Sequence, residues 1–130
     1  MTQPSRFTSE DWFGVWAITM IGAGAFAFRQ LAIVPRATVG LCAAAAAPPI
    51  CAPRAAVLYL QYIQAFGWTA LALGILAFIL GKRWPGILAI ALGITAVINY
   101  NATPGIIGAA LGIITWISLC TGRWSPAESK

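Results

Sequence analysis

Apolar residues run almost unbroken from Val57 to Cys120, a stretch in which Lys82 and Arg83 are the only charges. The tetrapeptide Ala-Leu-Gly-Ile punctuates it at residues 72–75, 91–94 and 110–113, each copy 19 residues after the last. That interval is close to the roughly 20 residues a helix needs to cross a bilayer. A separate apolar run begins at Trp12. The pattern predicts an all-α integral membrane protein. Four transmembrane helices over residues 12–34, 55–80, 85–100 and 104–121 form one bundle within a single membrane domain, residues 1–130.

Local signals set the boundaries. Thr8 or Ser9 is placed to cap the first helix, Glu10 and Asp11 suit its positive N-terminal dipole, and Phe7 is placed to act as a hydrophobic staple. Pro35 is the expected stop. Ala25-Phe26-Ala27 resembles a small-x-small cleavage site, but the leader before the apolar run is acidic, which opposes a signal peptide. Gly81-Lys82-Arg83-Trp84-Pro85-Gly86 and Asn101-Ala102-Thr103-Pro104 read as tight turns, and Gly122-Arg123-Trp124 as a basic-aromatic boundary. Residues 36–56 form the one substantial loop, in which Ala43–Ala47 favours a helical turn that Pro48 and Pro49 end.

Composition agrees with a lipid environment. The 130 residues are 60% hydrophobic and 8% charged, against about 25% charged in a soluble domain. The net charge of +5 comes from scattered cations, which makes no phosphate-binding stripe and argues against nucleic acid as a partner. Histidine is absent and the three acids, Glu10, Asp11 and Glu128, lie near the termini. Proton relays and coupled transporters usually place an ionisable group inside a span, and no residue set for a metal or cofactor emerges.

Four spans put both termini on one side. That side then holds Arg6, Lys82, Arg83, Arg123 and Lys130, against Arg29, Arg36 and Arg54 on the other. The bias favours N-in, C-in. Cys42 and Cys51 then fall in the outer loop, where oxidation is allowed, and Cys120 at the inner boundary, where a thiol stays reduced. A bacterial inner membrane is the expected location.

Small residues recur at helix-contact spacing. Gly108 and Gly112 make a Gly-x-x-x-Gly pair, and Ala70/Gly74 and Ala89/Gly93 repeat the interval. Such pairs let helices approach closely in lipid, within the chain or against a partner. Residues 86–98 and 105–117 match at seven of thirteen positions. Internal duplication is one reading of that match; convergence among Ala, Leu, Gly and Ile is the other, and is favoured.

Two groups of residues carry candidate chemistry. Cys42 and Cys51 read as a structural disulfide, worth about 2–3 kcal/mol in the chain-entropy model, with free thiols or a quinone-linked redox pair as alternatives; no Cys-x-x-Cys supports the last. Arg29, Gln30, Tyr59, Gln61, Tyr62, Gln64, Asn99 and Asn101 gather by level toward the outer face. They are placed to bind a lipid or quinone head group or a partner helix; an interfacial belt is the plainer alternative. Arg29 is expected to snorkel toward water. Asn101-Ala102-Thr103 matches a glycosylation pattern but sits too near the membrane to be used.

The sequence therefore predicts a non-catalytic accessory or structural subunit of a larger membrane complex, packed against other membrane protein subunits. A small homo-oligomeric channel or transporter is the alternative, and a thiol–quinone redox protein a third.

Overall fold

The computed structural model describes residues 7–123 and is helical throughout. Arg6, Trp124, Glu128 and Lys130 lie outside the described residues. Helix α1 spans Ser9–Phe28 and continues through a π-helical turn, Arg29–Ile33. Helices α2 (Arg36–Ala43), α3 (Cys51–Tyr62), α4 (Ala65–Leu80), α5 (Arg83–Ile98) and α6 (Ala102–Cys120) follow.

Thr8 is the N-cap of α1, and Phe7 packs edge-on against Trp12 with ring centroids 5.7 Å apart. These are the N′ and N4 positions of a hydrophobic staple. Pro53, Pro85 and Pro104 all fall in the first turn of a helix, where a missing N–H costs no intrahelical bond.

Two elements depart from the sequence expectation. The continuous helix expected over 55–80 is broken: α3 and α4 meet at 63°. Gln64 caps α4 in the left-handed region, with φ of 56°. No Gly or Pro marks this position. Tertiary contacts hold it instead: Asn101 Nδ2 donates to the Gln61 carbonyl (3.3 Å), and Gly67 lies so close to Pro104 that a Cβ would sit 2.6 Å from the ring. The expected loop 36–56 also contains a helix, α2, placed before the alanine run rather than on it. Ala44 is already extended (ψ 154°) and residues 44–46 bend. The Cys42–Cys51 link and Pro48-Pro49 prevail over alanine's helix propensity.

Two helices are long and apolar enough to cross a membrane: Ser9–Ile33, counted through the π-helical turn, and Ala102–Cys120, of 25 and 19 residues. The bent α3–α4 pair makes a third candidate. Helix α5 has 16 residues, about 24 Å at 1.5 Å per residue.

Helices α4, α5 and α6 form a tight three-helix core whose centre is small: Ala70, Ala77, Ala89, Ala91 and Ala96 are all buried. Gly74 faces the backbone of Gly108, and Gly108 in turn faces the Ala70 carbonyl and the Leu71 nitrogen. A Cβ on Gly112 would lie 2.6 Å from the Gly86 carbonyl, and one on Gly93 would lie 2.6 Å from both Ala109 Cβ and the Gly105 carbonyl. Gly74, Gly93, Gly108 and Gly112 thus occupy contacts within the chain. Helix α1 runs parallel to α5 and leans on it, Gly14 against Ile87 and Gly22 against Ile94.

Candidate functional sites at the two ends of the bundle

At the disulfide end, Cys42 of α2 and Cys51 of α3 are bonded, with Cα atoms 5.5 Å apart. The link ties two short helices that share little other packing. Arg54, one turn into α3, donates from Nε to the Ala32 carbonyl (3.0 Å). Ala32 lies in the last turn before Pro35, where carbonyls have no donor within the helix, and the bond fastens α3 there.

Arg29 opens the π-helical turn. Its guanidinium lies 4.3 Å from the centroid of the Tyr100 ring, a cation–π contact. Tyr100 follows α5 in the left-handed region, φ 60°. The ring supplies no oxygen acceptor, so the guanidinium N–H groups still require hydrogen-bond partners. Arg29 Nη1 is buried and has none, and the buried Asn99 Oδ1 and Gln61 Oε1 are also without hydrogen-bond partners. Asn99 Nδ2 does bond, to the Thr95 carbonyl at 2.9 Å.

Of the eight polar residues singled out in the sequence, Arg29, Gln61, Asn99 and Asn101 are buried or half-buried at this end. Gln30 and Gln64 are exposed, as are Tyr59 and Tyr62, at 63% and 85%. Tyr100 joins the group instead.

The opposite end holds an arrangement that the sequence reading missed. Asp11 is fully buried. Its Oδ1 accepts from Trp116 Nε1 of α6 at 2.7 Å, and its Oδ2 accepts from the Thr8 amide and hydroxyl at 2.9 and 3.0 Å. Arg83, at the start of α5, lies 3.5 Å from Asp11 Oδ2 and donates to Thr8 Oγ1 at 2.9 Å. The exposed Glu10 is 4.0 Å from the same guanidinium. An acid at the third position of a helix reads as a local cap. What hides here is that the same carboxylate bonds a residue 105 positions away. One signal was available: the first turn of α1 and the Lys82-Arg83 pair fall at the same end, with opposite charge.

Between these ends two apolar pockets, meeting at Ile113, make a groove along α5 and α6. The one nearer the Asp11 end lies among α1, α5 and α6 and is lined by Val15, Ile90, Ile113 and Trp116. The one nearer the disulfide end lies between α5 and α6 and is lined by Ile94, Val97, Ile98 and Ile106. Cys120, the one free cysteine among the described residues, is half-buried beside Phe7 and Trp116. No group of His, Cys, Asp or Glu among the described residues is arranged to hold a metal.

The chain matches no protein-family model, no curated protein and no solved structure.

Proposed function

We propose that the chain is a non-catalytic accessory subunit of a larger membrane complex, a four-crossing protein of a bacterial inner membrane with both termini in the cytoplasm. The observation that carries this reading is the asymmetry of packing. Helices α4, α5 and α6 close their glycines against one another. Helix α1 leans on α5 by one side, with 11% of its most apolar window buried, and Gly24 on it has nothing within 4 Å. A long helix that is pinned at its end by Asp11 and packed on α5 along one side leaves its other faces for a partner helix.

Charge and redox chemistry support the orientation. Lys82, Arg83 and Arg123 lie at the Asp11 end, and the disulfide lies at the other, which suits an oxidising outer compartment. The four crossings are α1, the bent α3–α4 pair, α5 and α6, with the bilayer thinned locally at the short α5.

Extraction in a mild detergent or polymer disc, followed by sizing and peptide identification, tests the reading. The expected result is a particle containing this chain and at least one other membrane protein at fixed stoichiometry. Recovery as a pure homo-oligomer that conducts ions in liposomes overturns it.

A further inference from the structure

The cation at the disulfide end and the apolar groove beside it make a combination that neither makes alone. Arg29 has one guanidinium nitrogen buried with no acceptor, and among the described residues no carboxylate pairs with it. Gly22, two turns before Arg29 on α1, touches Ile94, and Ile94 lines the groove. Tyr100, which carries the Arg29 guanidinium on its ring, follows Val97 and Ile98 of the same groove by two or three positions. The groove therefore leads along α5 toward a cation at the membrane boundary. From Ile106 to Ile117 its α6 wall covers 11 helical steps, about 16 Å at 1.5 Å per residue. That is about one leaflet of a hydrocarbon core roughly 30 Å thick.

We propose that this is a binding site for one anionic phospholipid, its phosphate on Arg29 and an acyl chain in the α1–α5–α6 groove. Charge complementarity selects the occupant. Two residues beyond the Ile98 end of the groove, Tyr100 carries a guanidinium, which favours phosphate oxygens in its own plane, while the nearby walls are Ile, Val, Ala and Gly. A partner helix bearing an acid would satisfy Arg29 equally well but would not call for a groove one leaflet long. The proposal is independent of the accessory-subunit reading, because it concerns a lipid held by the chain alone.

The test is native mass spectrometry of the delipidated full-length chain in detergent, titrated separately with phosphatidylglycerol and phosphatidylcholine of identical acyl chains. The wild type is expected to bind the first about tenfold more tightly, the smaller end of what a charge-assisted hydrogen bond contributes. Arg29→Gln removes that preference while leaving weak binding of both lipids, and Arg29→Lys keeps most of it. Ala110→Phe, which fills the groove from an exposed position, weakens both lipids alike. Helical circular dichroism confirms folding of each variant; if Arg29→Gln fails to fold, Arg29→Lys and Ala110→Phe still decide. Equal binding of the two lipids by the wild type overturns the proposal. So does a preference that survives Arg29→Gln, or an affinity for both lipids that is unchanged in Ala110→Phe.

Discussion

Replacing Gly108 with Ala adds one methyl group, and its consequence can be worked from the backbone. The new Cβ would lie well inside van der Waals distance of three Ala70 and Leu71 main-chain atoms. None of these can swing aside as a side chain would, so relief requires α6 to move bodily away from α4. That movement opens the contact between Gly74 and Gly108 and disturbs the buried Ala70 and Ala77 beside it. Overpacking costs about 1–3 kcal/mol, and a clash against rigid backbone belongs at the upper end. We expect about 3 kcal/mol, on the order of a hundredfold in the folded-to-unfolded ratio. The assay is unfolding in mixed micelles on titration with sodium dodecyl sulfate, followed by far-ultraviolet circular dichroism. Gly24→Ala is the internal control. Its Cβ would meet nothing within 4 Å, so only helix propensity changes, and stability holds or rises by about 0.5–1 kcal/mol. Gly74→Ala meets Gly108 across the same gap, so the double variant should lose less than the sum of the singles. A Gly108→Ala protein within about 0.5 kcal/mol of wild type, a typical surface-substitution effect, would refute the reasoning.

Three further outcomes follow from the two ends of the bundle. Asp11→Ala leaves the Trp116 indole N–H without its acceptor and Arg83 with only Thr8 and Glu10, and should destabilise by about 2–3 kcal/mol; Trp116→Phe should cost about 1–3 kcal/mol. In both variants a thiol probe should label Cys120 faster as the end of α1 loosens, and unchanged labelling with unchanged stability would refute the tie between Asp11 and Trp116. Serine at both Cys42 and Cys51 should cost about 2.5 kcal/mol, and reductant should lower wild-type stability by the same amount while leaving the variant unmoved. Gln64→Gly relieves a side chain held in the left-handed region and should stabilise by about 0.5–1 kcal/mol; a loss of stability there would mean that Gln64 makes a contact outweighing its backbone strain.

Much of the local structure is legible along the chain. The cap at Thr8 and the Phe7–Trp12 staple are both short-range, and each depends on residues within about one turn. The Cys42–Cys51 pair is legible because few partners exist. The break at Gln64 is not, because its cause lies on α6: Asn101 and Pro104 shape the backbone of residues 61–67 across the bundle. The alanine run misleads for a related reason. Its helix propensity is real but small, and the link between α2 and α3 overrides it. In the candidate lipid site, Arg29, Asn99 and Gln61 are visible as polar residues at one level, but nothing in their spacing separates them from Tyr59 and Tyr62, which point outward.

The sequence alone determined that this is a helical chain with apolar runs fit for lipid, because a helix satisfies its own backbone and lipid asks only that the side chains around it be apolar. It also carried the spacing of the glycines, since close approach of two helices needs small residues at one-turn intervals. The tertiary structure decided how each helix is rotated about its axis. In water that rotation is written as a polar face and an apolar face. In a membrane helix both faces are apolar, so the sequence of α1 does not say which side meets α5. Only the assembled bundle shows Gly14 and Gly22 turned inward, Asp11 sealed under Trp116, and Arg29 set on the Tyr100 ring with one buried nitrogen unbonded.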